Sequence, residues 1–282
     1  MKKFVSFTIV IIFFALTINA AGQDNNFPFE VKKRGEGSQS LIFIPGFSCS
    51  GEVWNETISV FENNYTCYIL TMAGFAGVPP QSDPTFQSWE KGIANFIQQF
   101  KIEKPVIIGH SMGGGLAMAL AADYPQLISK IVVVDALPCL AALMDISFKS
   151  KDTNDCSAII SQFTSATNEE FYQMQKKSVP QMLADTSKQT LVVDWSVKSD
   201  RKTLAEMYCD FSNTDLREKT ALIECPALIL LESYFVNFKP ALNEQFKNLK
   251  TANIQYATKG LHFIMYDDTE WYNEQLISFI KQ

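Results

Sequence analysis

Ser111 lies in Gly109-His110-Ser111-Met112-Gly113, a G-x-S-x-G pattern. An apolar, β-branched run over 105–108 leads into it, and a small-residue stretch, MGGGLAMALAAD over 112–123, leads out. A serine on a sharp strand-to-helix turn presents its hydroxyl clear of its own backbone, and side chains two positions to either side would collide with that turn. Glycine has no Cβ to collide. The chemistry that suits this arrangement is nucleophilic attack by the Ser111 hydroxyl. The N–H of Met112 falls at a helix N-terminus, where unpaired donors and the helix dipole favour developing negative charge.

A serine hydroxyl is a weak nucleophile until a base takes its proton. The chain holds 2 histidines, His110 and His262. His110 adjoins the nucleophile on the sharp turn, so its side chain is expected to point elsewhere and its role to be structural. His262 follows the last expected strand, in the loop before the final helix, and is left as the base. The third role needs a carboxylate that accepts the base's other ring N–H, fixes its tautomer and stabilises the imidazolium. Asp135 ends the apolar strand after the serine, and Glu232 ends the next strand. Asp267 and Asp268 follow the base too closely to reach back.

The elements that must position these groups alternate. Strands are expected at 27–32 (an edge), 41–44, 68–70, 106–108 and 131–134, with amphipathic helices at 53–63 and 89–100 and the small-residue helix at 112–123. Such alternation implies an α/β fold built on a doubly wound, mostly parallel sheet, whose ligands bind beyond the C-terminal strand ends. Gly46, Ser111 and Asp135 all fall at such ends. Strand signals fade from 137 to 221, where short helical stretches at 158–163, 169–174 and 180–184 read as a helical cap. Phe148, Phe163, Phe171, Tyr172, Met174 and Met182 make that cap a candidate apolar pocket. The core, 23–136 and 222–282, resumes with a strand at 227–231, a helix at 240–249, a strand at 253–256 and a helix at 269–280.

Composition narrows the function. The formal charge is −6 and no basic stripe is present, which argues against nucleic acid or anionic lipid as a partner. Hydrophobic residues make up 47%, ample for one large core. Met1-Lys2-Lys3, an apolar run over 4–16 and Ala20-Ala21-Gly22 read as a signal peptide over 1–22, so the mature chain is expected outside the cytoplasm, periplasmic or extracellular, without a stable membrane span. Disulfides are therefore permitted among the 6 cysteines. Cys139, Cys156 and Cys209, in the irregular middle, are the candidates for a bridge, and Cys67 and Cys225 fall in or beside buried strands. Structural zinc is not expected, because no C-x-x-C pair occurs. Neither oligomeric state nor disulfide connectivity is legible.

On these motifs the chain resembles α/β-hydrolase-fold serine hydrolases, of the subfamily with Gly-His-Ser-Met-Gly-Gly at the serine. It also resembles exported bacterial members with an Ala-Gly-Phe-Ala-Gly-like loop and a His-Phe-Ile-Met-Tyr-Asp-Asp-like segment at the base. The resemblance spans 38–282 and implies no cofactor and no metal. It implies an oxyanion hole from the N–H groups of Met112 and Phe47, although many members have His-Gly where this chain has Pro45-Gly46. Members usually carry an Asp beyond the strand after the cap, and Leu230 to Asn237 holds none. Some relatives use an acid ending the strand after the serine, which favours Asp135, with Glu232 the alternative. The implied reaction is hydrolysis, through an acyl-enzyme, of an ester of a small to medium, largely apolar acyl compound. Aminopeptidase or amidase action, with Asp152, Asp155, Glu169 and Glu170 binding a substrate amine, is the second enzymatic reading. A noncatalytic small-ligand binder is the alternative from another class.

Overall fold

The computed structural model describes residues 27–282. The expected signal peptide lies outside the described residues. Among the described residues the strands are β1 (Phe29–Arg34), β2 (Gln39–Ile44), β3 (Tyr65–Met72), β4 (Val106–His110), β5 (Lys130–Val134), β6 (Ala227–Leu231) and β7 (Ala252–Tyr256). They form one 7-stranded sheet in the order β1-β3-β2-β4-β5-β6-β7. Only β1 runs antiparallel, against β3, and every other pairing is parallel. The α/β, mostly parallel architecture is thus the one its alternating pattern implies.

Each central strand is a continuous apolar run because both of its faces are covered. Ile42 and Ile44 of β2 belong to one apolar cluster, with residues of α2 (Phe86–Gln99), α3 (Met112–Asp123) and α8 (Lys239–Gln245). Leu41 and Phe43, alternating with them, belong to the other cluster, with Ile58 of α1 (Asn55–Phe61) and Leu276 of α9 (Thr269–Lys281). In α3 every residue from Met112 to Ala122 is buried, so its glycines and alanines allow close packing on all sides. The register pairs Ile44 with Gly109, His110 with Val134 and Val134 with Leu230, so the C-terminal ends of β2, β4, β5 and β6 form one rim.

Between β5 and β6 the chain forms α4 (Ser157–Ser165), α5 (Asn168–Ser178), α6 (Thr186–Lys198) and α7 (Arg201–Ser212). The expected helices at 158–163 and 169–174 lie inside α4 and α5, whereas 180–184 yields only a 3-10 turn, Val179–Gln181. α6 and α7 stand outside the helices expected from the sequence. Thr186, Thr190, Val192, Val193 and Val197 are β-branched and weaken the local helix signal of α6. Its buried Val192, Val193, Trp195 and Ser196 share one face, but a serine stands on that face and the apolar Leu191 lies exposed outside it, which blurs the apolar period. Both helices start on aspartate caps: Asp185 accepts from Ser187 N–H and Asp200 from Thr203 N–H. A disulfide joins Cys156 to Cys209, while Cys49, Cys67 and Cys139 are buried free thiols and Cys225 is a half-buried one. Among the described residues no helix is long and apolar enough to cross a membrane.

Candidate active site

Ser111 stands between β4 and α3 with φ 53° and ψ −123°, a strained conformation for a residue with a Cβ. Main-chain bonds hold it there. Its N–H donates to Val134 O at 2.8 Å, and its carbonyl accepts from Gly114 N–H at 2.8 Å and Gly115 N–H at 3.1 Å. The glycines of the motif are sterically forced, since a Cβ at Gly109 would lie 2.0 Å from Gly113 O and one at Gly113 2.4 Å from Ile44 O. Met112 N–H, first in α3, has no acceptor inside the helix. Phe47 lies in the loop after β2, where Gly46 passes so close that a Cβ on it would come 3.1 Å from Ser111 Cβ.

Asp135 follows β5 as Ser111 follows β4, also with positive φ, 48°, and its N–H donates to Leu230 O at 2.7 Å. Its side chain is buried and satisfied on both oxygens. Oδ1 accepts from Glu232 N–H at 2.7 Å, and Oδ2 lies 2.6 Å from His262 Nδ1, so Nδ1 carries the proton in that bond and Nε2 remains for another partner. Burial lowers the affinity of His262 for a second proton, but the bond and charge of Asp135 and the charge of Glu232 outweigh it and hold its pKa above the ordinary value. Glu232 touches this pair through its backbone, and burial followed by Asp135's charge pushes its own carboxyl up to about 7.

The loop carrying His262 is fixed by the two aspartates that follow it. Asp267 accepts from Leu261 N–H at 2.8 Å, and Asp268 accepts from Thr258 N–H at 2.9 Å. His110 is buried beneath the same loop, its Nε2 donating to His262 O at 3.0 Å. Burial, then the charge of His262, keep His110 neutral by lowering its pKa. The structure thus brings Ser111, His262, Asp135, Phe47 and the backbone of Glu232 to one rim, and puts His110 under it as support.

Ser111, His262 and Asp135 open on a cavity of about 350 Å³, walled mainly by apolar side chains that include Leu137, Leu140, Val179, Val192 and Phe235. Of the six residues expected to form an apolar pocket, Met182 alone is on this wall. Phe171 is buried in the core and Met174 is exposed. Tyr208 and Phe211 line the cavity from α7, which the sequence reading missed. Leu137, Leu140 and Leu143 carried a usable signal, three leucines at a spacing of three directly after Asp135. The four acidic residues considered for amine recognition lie off the wall. Asp155 accepts from Ser157 N–H, Glu170 from Thr167 N–H and Glu169 from the Gln173 side chain, and Asp152 is exposed.

Residues 39–280 match the family model described as alpha/beta hydrolase fold. A pimeloyl-[acyl-carrier protein] methyl ester esterase of Wigglesworthia glossinidia brevipalpis is 22% identical over 228 residues, 80% of this chain and 86% of that one. An enol-lactonase from Burkholderia xenovorans superposes with TM-score 0.74 at 14% identity, covering 90% of this chain and 96% of its own. An esterase from Exiguobacterium antarcticum gives TM-score 0.74 at 18% identity, over 90% and 96%.

Proposed function

This chain belongs to the alpha/beta hydrolase fold family, and from that premise we propose that it is an exported serine hydrolase that cleaves esters of small to medium, largely apolar acyl compounds. Ser111 Oγ attacks the ester carbonyl while His262 Nε2 takes its proton, and Asp135 holds the resulting imidazolium through Nδ1–H. The N–H groups of Met112 and Phe47 receive the oxyanion, each such donor contributing about 3 kcal/mol of transition-state stabilisation. His262 then gives its proton to the departing alcohol, and water, deprotonated by the same histidine, releases the acid from Ser111.

One observation carries the reading: the buried Asp135 carboxylate lies 2.6 Å from His262 Nδ1, at the rim that also holds the strained serine. The apolar wall supports an acyl compound, and the name of the 22% identical relative, a methyl ester esterase, points the same way. Export rests on residues 1–22 alone. A fluorophosphonate probe is expected to label wild type and not Ser111→Ala, together with p-nitrophenyl ester turnover by wild type only. Labelling that persists in Ser111→Ala removes Ser111 from the role, and wild type that is labelled without turning over any ester is a binder rather than an esterase. Intact mass of protein recovered outside the cytoplasm tests export, with a first residue between Ala21 and Gln23 expected.

A further inference from the structure

Two hydroxyls in the cavity wall have no part in the reaction just described. Ser48 sits in the loop after β2 with φ 59°, and Ser196 lies in the last turns of α6. Both are buried, at 8% and 2% exposure, both line the cavity, and their Oγ atoms are 2.7 Å apart. Each hydroxyl brings one proton and two lone pairs. A bond between them uses one proton and leaves the other without an acceptor.

Other hydroxyls of these helices have acceptors for their protons: Thr164 gives to Ile160 O at 2.7 Å, Ser178 to Met174 O at 2.8 Å and Ser199 to Trp195 O at 2.9 Å, one turn back, while Ser187 and Thr203 give to the capping Asp185 and Asp200. The Ser196 hydroxyl makes no such bond, and its one partner among the described residues is the Ser48 hydroxyl. Gln175 is another polar side chain of the wall away from Ser111, His262 and their neighbours, and a buried, unused donor in so largely apolar a wall is a cost that a ligand's acceptor would relieve. The place is also informative. Gly46 lies against Ser111, and Ser48 is two residues further on, at most about 7 Å of chain.

We propose that Ser48 and Ser196 form a specificity-determining polar subsite, which donates its spare proton to an oxygen atom carried on the ester within a few bonds of the carbonyl that Ser111 attacks. The substrate class is then an oxygenated ester, bearing an ether, ketone or hydroxyl oxygen near the reacting group, rather than a plain hydrocarbon one. The inference rests on the serine-hydrolase reading and narrows it.

Esters that differ by one CH2→O exchange test it: ethyl pentanoate against ethyl 3-methoxypropanoate on the acyl side, and butyl acetate against 2-methoxyethyl acetate on the alcohol side. After correction for their ratio in alkaline hydrolysis, wild type is expected to favour the ether in at least one pair. That preference falls by three-fold or more, about ten-fold for a fully lost bond, in Ser196→Ala and in the Ser48→Ala/Ser196→Ala double variant. The double variant leaves no orphaned partner, so it serves where Ser196→Ala alone folds poorly. A ratio that falls by less than three-fold in both pairs overturns the subsite, whatever happens to the absolute rates, and makes the two serines a tether between loop and helix. Absence of wild-type turnover on all four esters overturns the subsite alone where p-nitrophenyl esters are still hydrolysed, and removes the hydrolase reading with it where they are not.

Discussion

The sheet rim and the helices between β5 and β6 face each other across the same cavity, yet they are held by different means. At the rim the main chain does the positioning. Ser111 and Asp135 each continue the parallel ladder one residue past their strands, through N–H bonds to Val134 O and Leu230 O. Neither needs its side chain to stay in place. Across the cavity, α4 buries no residue, and the chain just before it is held to α7 by the Cys156–Cys209 bridge and by Asn154 Nδ2 donating to Cys209 O at 3.1 Å. The proposed nucleophile and acid are thus placed by backbone geometry, with Gly109 and Gly113 leaving room for the serine turn, His262 is held in its loop by the Asp267 and Asp268 side chains, and the helices across the cavity are fastened through side chains.

The largest expected effect breaks the rim. Asp135→Asn removes the acceptor of His262 Nδ1–H and should cut kcat by about 10⁴, the loss known for the same change in a well-studied triad, with an unchanged circular dichroism spectrum. A loss of only a few-fold would show that backbone placement alone does not make Asp135 the acid. The wall should respond more gently. From acetyl to medium-length p-nitrophenyl esters, kcat/KM is expected to rise by a few-fold to tens-fold per one or two methylenes, because Leu137, Leu140, Val179 and Val192 cover added apolar surface. A flat or falling series would deny that wall a part in acyl binding.

Smaller still is the effect of opening the bridge. It closes a sequence separation of 53 residues, worth about 4 kcal/mol on a chain-entropy estimate. Since α4 has so little packing of its own, the loss in Cys156→Ser/Cys209→Ser should be local. Limited proteolysis is expected to cut first within 149–167, and KM to rise a few-fold, because Tyr208 and Phe211 beside Cys209 line the cavity. First cleavage in the sheet loops instead would show that the two regions unfold as one.

The same contrast explains what could be read from the sequence. Ser111 and Asp135 were legible because each follows a strand whose apolar run is unmistakable, 106–108 and 131–134, and His262 because the chain has 2 histidines and the other, His110, adjoins the serine on the turn. Glycines at 109 and 113 marked the turn for a steric reason that the backbone contacts bear out. The wall was not legible. Val192 lies on α6, whose β-branched residues weaken the helix signal, whereas Tyr208 and Phe211 lie on α7, where Leu204, Met207, Tyr208 and Phe211 keep the i, i+3, i+4, i+7 spacing of a helix but do not show which of them faces the cavity; Phe171 looked like a pocket residue although it is core. Which aromatic faces the cavity depends on how α5 to α7 pack, a long-range outcome with no local signature.

Glu232 carries the smallest and sharpest prediction, because it binds Asp135 through its N–H and its charge acts on His262. His262 works as a base only when neutral, and its pKa is held above the ordinary histidine value, so activity is lost as pH falls through that raised value. Part of the elevation comes from Glu232, whose own carboxyl titrates at about 7. As pH falls Glu232 takes a proton, its charge disappears, and His262 becomes harder to protonate. Two groups coupled in this sense give an acid limb shallower than that of a single titration. Glu232→Gln removes the coupling, so the limb of kcat/KM should move to lower pH and steepen to single-group form, while the high-pH plateau stays within a few-fold of wild type. A plateau that collapses as far as that of Asp135→Asn would hand the acid role to Glu232, and a limb that stays in place would mean that its charge never reaches the base.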